Sequence, residues 1–332
     1  MKLNTYSFAA GAVALSATAL AMPTLYKRIT NGNFFGCMAT VMTSGSWSTT
    51  CASEAVHDFG LIKSVRVDDL KLAFSDSTAA IGLSSSKLTA DLIQIPEGFG
   101  FTSFPVTDSS QKVIIVYAGI EIAEFTTPTS ATTVVGNTVS TVVGNSQLNI
   151  LSGQEANFVA FMSDLISKVS LAFIIRGNLG VTIKTPLPYK PSVSIPSIAY
   201  SAPITLQGCA NFVNVEFLKQ ISLTKDAAGQ YTLTSSINIR NPSQLVLEMG
   251  TVELNLFGEK GLIGVTTFTR LELAMGDNIV TAVTVFTDES VLAGGTFTLQ
   301  GFDGSSKSGI LAKALAEVKV KINIPKLSDT SA

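Results

Sequence analysis

From about residue 60 onward, apolar and polar residues alternate along the chain with a period of two. The alternation is clearest near the C-terminus, where polar residues separate Val318, Val320, Ile322 and Ile324. Because successive side chains of a β-strand point to opposite faces of a sheet, this pattern predicts strands with one buried face. The same pattern occurs in four other groups: Leu70, Leu72 and Phe74; Leu88, Ala90 and Leu92; Tyr231, Leu233, Ile237 and Ile239; and Val252, Leu254 and Leu256. The sequence therefore predicts a mainly β protein.

Two segments have helical periodicity instead. Over residues 153–168, five apolar residues fall on one helical face: Phe158, Phe161, Met162, Leu165 and Ile166. Ser152 and Glu155 have the spacing of a capping box, in which each side chain accepts a hydrogen bond from the other residue's backbone N–H. Residues 309–317 predict a second short helix, with Ser308 as its N-cap.

Glycine next to asparagine or aspartate punctuates the predicted strands. Such groups occur at 136–137, 144–145, 177–178 and 276–278, and each predicts a turn. The sequence TVVGN at 133–137 recurs at 141–145. This spacing of eight predicts two short strands around a turn.

A proline-rich stretch covers residues 185–203 and contains Pro186, Pro188, Pro191, Pro196 and Pro203, five of the 11 prolines. Proline cannot serve a central strand, so this stretch is either a linker or an extended edge segment. Taken as a linker at 186–203, it divides the chain into a first β domain at 60–185 and a second at 204–327.

Composition and charge exclude several classes of protein. Charged residues make up 14% of the chain, apolar residues 46%, and the formal net charge is −2. A nucleic-acid-binding protein usually has a basic surface, and a disordered chain is rich in charge. We therefore expect a folded protein that binds no nucleic acid.

The N-terminal residues 1–21 have the composition of a signal peptide. Lys2 is followed by small, mildly apolar residues, and Ala19-Leu20-Ala21 matches a small-x-small cleavage pattern. The alternative is a retained anchor, but the segment is rich in Ala, Ser and Thr and only weakly apolar. We expect a secreted protein, or alternatively one in the vacuole or another secretory lumen, with no transmembrane span after cleavage. The pair Lys27-Arg28 is either a processing site or two surface charges.

The chain has three cysteines. Cys37 and Cys51 lie close enough to close a small loop within the N-terminal segment 22–59, and an oxidising compartment favours this disulfide. The alternative is two buried thiols. Cys209 is left over and is expected to be buried as a small apolar residue.

No pattern in the sequence predicts a catalytic or metal site. His57 is the only histidine, and no nucleophile-elbow motif accompanies it. The S-x-x-K match at 84–87 and the loose phosphate-loop match at 301–308 are expected by chance in a chain this rich in serine and glycine. Adjacent acids at Asp68-Asp69 and Asp288-Glu289 are typical of solvated turns. We expect no enzyme activity, cofactor or metal.

One segment carries a family resemblance. Residues 237–278 read INIRNPSQLVLEMGTVELNLF and then GLIGVTTFTRLELAMGDN, with Asn241, Pro242, Gly250, Gly264, Gly276 and Asn278 at the key positions. This pattern resembles the late-embryogenesis-abundant (LEA) type 2 domain, in tandem copies as in a group of uncharacterised fungal proteins. The resemblance covers about 190–302 well and 60–185 weakly, since no Asn-Pro pair occurs in the earlier region. It implies two tandem immunoglobulin-like β-sandwiches with one or two short helices, and it names no catalytic residues.

Three functions fit these observations. The leading hypothesis is a secreted or lumenal non-enzymatic protein that acts as a structural, surface-associated or interaction module. Its partner would be an unknown protein, a surface or another copy of itself. An alternative is a carrier of a lipid or other apolar ligand, bound between sheets or domains. A weaker alternative is a cell-wall-active hydrolase, which needs two convergent carboxylates.

Overall fold

The computed structural model describes residues 62–74, 80–92, 106–135, 138–184, 192–212 and 215–328. The protein is mainly β with two α-helices among the described residues, which confirms the predicted fold class. The helices are α1 (Glu155–Ser167) and α2 (Gly309–Leu315). The strands are β1 (Ile62–Asp68), β2 (Leu70–Phe74), β3 (Ile81–Leu92), β4 (Val106–Tyr117), β5 (Ile120–Thr126), β6 (Ser130–Val135), β7 (Thr138–Ile150), β8 (Ser170–Lys184), β9 (Ser192–Gln207), β10 (Glu216–Lys225), β11 (Tyr231–Asn241), β12 (Leu245–Gly258), β13 (Gly261–Leu273), β14 (Gly276–Phe286), β15 (Gly295–Gln300) and β16 (Lys319–Ile324).

Hydrogen bonds connect all the strands into one continuous path. Its order is β10-β11-β14-β13-β12-β2-β3-β7-β5-β4-β8-β9, with β1 on β3, β6 on β4 and β7, and β15 and β16 following β12. The pair β2–β12 is parallel, whereas the other described pairs are antiparallel. The path therefore has a first half, made by strands before residue 185 together with β9, and a second half that begins at β10.

The predicted alternation matches the burial of side chains. Buried members of the predicted groups are Leu72, Phe74, Leu88, Tyr231, Leu233, Ile237, Ile239, Val252, Leu254, Leu256, Val318, Val320, Ile322 and Ile324. The first TVVGN segment lies in a hairpin of β6 and β7, in which Thr133 pairs with Ser140 and Val135 with Thr138. The second segment continues β7, and its Val143 pairs with Ser85 of β3.

The proline-rich stretch is an edge strand rather than a linker where the structure describes it. β9 pairs with β8 alone in the sheet path, and Pro203 lies opposite Ile174. An edge strand has one side free of ladder hydrogen bonds, so it tolerates the missing proline N–H. Whether the chain has two folding units that divide near this stretch stays a prediction.

Three of the predicted turns fall within strands instead. Residues 276–278 already form the start of β14. Gly144-Asn145 lies within β7, and Gly177-Asn178 lies within β8. At Gly177 the glycine serves a close approach: an added Cβ would lie 2.0 Å from the Lys112 carbonyl oxygen on the neighbouring strand β4 and 3.0 Å from the hydroxyl oxygen of Tyr200. That hydroxyl donates to Gln111 Oε1 at 3.1 Å. A glycine can therefore mark a close backbone approach within a sheet as readily as a turn.

Helix α1 buries the five predicted residues but begins differently from the prediction. Its N-cap is Gln154, which makes no side-chain cap hydrogen bond, so the capping box of Ser152 and Glu155 does not form. Gly153 has a φ of +75°, which separates Ser152 from the first helical turn. Helix α2 begins after Ser308 as predicted, although the Ser308 side chain makes no cap hydrogen bond.

The C-terminal end of α1 is closed by a distant segment. Four consecutive backbone N–H groups at 208–211 donate to carbonyl oxygens at or just after the helix end: Gly208 to Val169 at 2.9 Å, Cys209 to Leu165 at 2.9 Å, Ala210 to Lys168 at 3.1 Å and Asn211 to Ile166 at 2.8 Å. The last carbonyls of a helix have no intrahelical partner, and burying them unpaired is costly. The segment that follows β9 therefore caps α1.

The two halves share one hydrophobic core.

An ion-paired lysine lies at the parallel β2–β12 pair. Lys71 binds Glu248 at 2.9 Å and Glu272 at 3.2 Å. These two carboxylates occupy paired positions of β12 and β13, and the lysine lies between them. The hydrogen bond with Glu248 raises the pKa of Lys71, with burial opposing it and Glu272 adding to it. Helix α1 packs against α2, where Ser163 Oγ donates to the Ala314 carbonyl at 3.5 Å.

Gly208→Ala is expected to destabilise the protein by about 2 kcal/mol or more. An added Cβ would lie 2.2 Å from the Lys168 carbonyl oxygen and 2.8 Å from that of Leu165, so the cap must move. Urea unfolding of the full chain measures this change. Gly309→Ala is the matched control, since nothing lies within 4 Å of its added Cβ. Equal unfolding midpoints for both variants would contradict the capping role.

Candidate interaction surface

Strand β14 is apolar on both faces. Residues 279–286 read IVTAVTVF, in which Ala282, Thr284 and Phe286 are buried in the core. The alternate residues Ile279, Thr281, Val283 and Val285 therefore point away from the core. A near-continuous apolar strand is typical of a sheet covered on both sides, whereas a solvated antiparallel sheet alternates with polar residues.

Neighbouring strands extend this surface with uncharged side chains. On β11, Thr232, Thr234, Ser236 and Asn238 lie opposite Val285, Val283, Thr281 and Ile279. On β13, Val265 and Thr267 lie opposite Val285 and Val283, and on β10, Ser222 and Thr224 lie opposite Thr234 and Thr232. We call these twelve residues the outer face. Its side chains are hydroxyls, aliphatic groups and one amide.

The outer face is largely open in the described part of the chain. The main contacts of β14 are with its sheet neighbours β11 and β13, and Ser236 on β11 is the buried member of the face. Ile279 is 73% exposed. At the β10 margin, two β-bulges each insert one extra residue, Leu218 and Ile221, which are 42% and 49% exposed. Exposed aliphatic groups thus adjoin a neutral sheet surface.

Charged residues border the outer face: Lys219 and Glu216 lie on β10 beside Ser236 and Asn238, and Arg240 and Asp277 lie at one end. Glu216 and Lys219 on β10, Arg240 on β11 and Asp277 on β14 are all exposed, and none forms an ion pair with another residue in the described part of the chain. Arg240 and Asp277 occupy paired positions of the β11–β14 ladder. The first half differs, because its exposed strand positions hold the ion pairs Lys112–Glu124 at 3.1 Å and Arg176–Glu121 at 3.8 Å.

A small cavity lies beneath the outer face, inside the second half. Aliphatic and aromatic residues line most of it, including Phe217, Leu233 and Ile322, together with Ser235 and the hydrogen-bonded hydroxyls of Thr266 and Thr284, 3.0 Å apart. The volume open to the centre of a water molecule is about 10 Å³, which suits roughly one water. This cavity is far too small for a lipid.

The predicted motif residues are divided between the end of the outer face and other positions. Asn241 pairs with Gly276, and Asn278 pairs with Ile239, so three of the six lie together where the end of β11 meets the start of β14, next to Pro242. Gly250 lies at a bulge of β12, and Gly264 lies in β13 opposite Phe286.

Asn241 is fully buried and holds the turn at 241–245 between β11 and β12 together. Its amide Nδ2 donates to the carbonyls of Leu245 at 2.7 Å and Leu273 at 3.1 Å. Its Oδ1 accepts from the Ser243 backbone N–H at 3.0 Å and from Ser243 Oγ at 2.6 Å. One side chain therefore ties the ends of β11, β12 and β13.

Cys209 joins the α1 cap to this turn. Its Sγ donates to Ser243 Oγ at 3.5 Å, and burial raises the pKa of the thiol to about 11 although the hydrogen bond opposes the change. A buried, protonated thiol is unreactive, in agreement with its predicted role as a small core residue. The predicted Cys37–Cys51 bond and His57 lie outside the described residues.

Two clusters of titratable side chains lie elsewhere on the described chain, and hydrogen bonds hold the members of each together. Tyr117 OH donates to Asp164, which also accepts from Lys168 Nζ at 2.7 Å. In the second half, Lys225, Tyr231 and Glu289 form a similar group, with the Lys225 ammonium 4.5 Å from the Tyr231 ring centre.

No group of three or more His, Cys, Asp or Glu residues within the described ranges could hold a metal ion. No helix of the described chain is long and apolar enough to cross a membrane.

Asn241→Ala is expected to cost about 2–4 kcal/mol, because the carbonyls of Leu245 and Leu273 lose a buried donor and Ser243 loses its acceptor. Chemical denaturation measures the loss. The control is Asn149→Ala, an exposed strand position where the change should stay within about 0.5 kcal/mol. A loss as small as that of the control would show that Asn241 does not hold the turn.

Asp164→Asn is expected to lower the pKa of Tyr117 from about 12 toward the ordinary value of 10, because the hydrogen bond to Asp164 raises it most, followed by burial. Alkaline titration of tyrosinate absorbance, with Tyr117→Phe as the reference, isolates this group. Because the pKa of Tyr117 is higher in the folded state, its protonated hydroxyl stabilises the fold fully below pH 10. This stabilisation is lost as the pH rises toward 12. The variant should therefore lose less stability over that interval, and an unchanged Tyr117 pKa would contradict the assignment.

Comparison with known proteins gives one family match. The model of a family described as "Protein of unknown function (DUF3712)" matches residues 123–256, which run from β5 into β12 and cross the proline-rich stretch. No curated protein matches the chain.

Solved structures give only distant likenesses. A biofilm-associated protein BSP domain is 10% identical (TM-score 0.16), with 85% of this chain and 56% of that chain covered. The exo-chitosanase CsxA of Amycolatopsis orientalis is 8% identical (TM-score 0.19), with 70% and 25% covered. The partial N-terminal region of enterococcal surface protein is 8% identical (TM-score 0.15), with 81% and 97% covered. This chain thus spans about half of the first protein and a quarter of the second, and TM-scores this low carry no argument.

Proposed function

We propose that the chain is a secreted or lumenal, non-enzymatic β-sandwich protein that acts as a surface-associated interaction module through its outer face. The observation that carries this proposal is the sheet surface centred on Val283, whose twelve side chains are aliphatic, hydroxyl or amide groups and which charged residues border. Exposed apolar patches with a polar rim mark interaction sites, because covering them removes apolar groups from water.

The N-terminal sequence supports the secretory route. Residues 1–21 have the composition of a cleaved signal, with cleavage after Ala21 giving Met22 as the new N-terminus. An extracellular location is the leading proposal, and the vacuole or another secretory lumen is the alternative.

We also propose that the second half is a LEA type 2-like domain. The Asn241 turn supports this, because three residues of the motif meet there and the asparagine amide uses its hydrogen-bonding groups on three strand ends. Fold relationship alone assigns no activity. No described feature favours a lipid carrier or a hydrolase.

The test is expression of the full chain in a yeast secretory host. An intact mass beginning at Met22 and accessibility at the cell surface are the expected results. Val283→Lys, which places a charge at the centre of the outer face, should release the protein into the medium. Val142→Lys changes an exposed strand valine of the first half and is the matched control.

Retention of Met1 in a cytosolic protein would refute the secretory part of this proposal. Equal surface retention of wild-type protein and both lysine variants would refute the role of the outer face.

A further inference from the structure

We propose that the outer face binds the outer face of a second copy of this chain, forming a two-fold symmetric pair of stacked sheets. This inference rests on the proposed function, since it names the partner of the same surface. The strand order β10-β11-β14-β13 is the starting point, because the β11–β14 ladder lies at its centre.

The proposed two-fold axis runs parallel to β11 and β14 and lies between the two stacked sheets. It brings each row of one face opposite the same row of the other. Such an axis places β11 of one copy over β14 of the other and keeps each residue at the same height along the strands. Thr234 then faces the second copy's Val283, and Thr232 faces its Val285. Aligned sheets pack about 10 Å apart at a small angle, so this correspondence holds best near the axis.

The charges at the end of the face fit the same axis. Arg240 and Asp277 are paired positions on β11 and β14, yet neither forms an ion pair with another of the described residues. Across the axis, Arg240 of each copy faces Asp277 of the other. Two intermolecular ion pairs form in this way, and they fix the register of the stacked sheets.

The chemistry of the face favours a copy of itself over other partners. None of its twelve residues is aromatic, so it offers no stacking surface for a sugar or a base. The rim has two acidic and two basic residues, which gives no preference for a strongly charged partner. β-Branched side chains from two identical faces can interdigitate as they do inside a β-sandwich.

The size of the face predicts a weak dimer. Twelve positions, on strands about 4.8 Å apart and in rows about 6.8 Å apart, make a face of about 400 Å². Stable complexes bury about 800 Å² on each partner. We therefore expect a dimer that dissociates on dilution.

Two charge reversals test this arrangement. Arg240→Asp gives a chain with two acids at the paired positions, and Asp277→Arg gives a chain with two bases. Each variant alone should repel its own copy, with self-association weakened at least about tenfold. An equimolar mixture forms complementary heterodimers, and its association should return to within about threefold of wild type.

Sedimentation velocity from roughly 1 to 200 µM measures association of the full secreted chain, a range that covers weak interfaces. Thermal unfolding checks that each variant is folded. Arg176→Asp is the control, because it reverses a charge on an exposed strand position of the first half. It should leave association unchanged.

A wild-type chain that stays monomeric throughout this range would overturn the proposal, and so would a mixture that fails to restore association. A monomeric chain still retained at the cell surface by its outer face would refute the dimer and keep the proposed function. If the mixture restores association but the chain never enters the secretory route, the dimer is supported and the proposed function is refuted.

Discussion

The carbonyl groups at the end of α1 impose the constraint on which the rest of the structure depends. A helix end inside a shared core needs donors, and the chain supplies them from 208–211, directly after β9. Cys209 then reaches Ser243, and Ser243 binds Asn241. One chain of hydrogen bonds therefore runs from the helix of the first half to the end of β11, where Asn241 is aligned with Gly276 of β14.

That alignment decides which side chains share the outer face. The β11–β14 register is uninterrupted from Tyr231 opposite Phe286 to Asn241 opposite Gly276. A slip of one residue would turn Val283 inward and Ala282 outward. The position of Arg240 beside Asp277 follows from the same register.

Local patterns predicted much of the fold. The C-terminal alternation at 318–324 and the apolar stripe of α1 were confirmed, because in each case one periodicity and one buried face suffice.

Features set by distant contacts were not predicted. Gly177 read as a turn because the Lys112 carbonyl that approaches it most closely is 65 positions away in sequence. The cap of α1 comes from 208–211, so no local signal at Ser152 or Lys168 could reveal it. The run IVTAVTVF at 279–286 indicates a strand that is apolar on both faces. A strand buried on both sides has the same run, so only the topology shows that one side of β14 is open.

The bulges of β10 have a consequence for how far assembly can proceed. Strand β10 lies at an end of the sheet path, where a regular strand would offer its free backbone groups to any passing chain. The extra residues Leu218 and Ile221 break that regular spacing, and the Gln220 amide holds Ser328 against the same strand through two hydrogen bonds. Growth of the sheet into a fibril by strand addition is therefore blocked at this end. Face-to-face stacking about a two-fold axis uses up the surface in one step, so such an assembly closes at two chains.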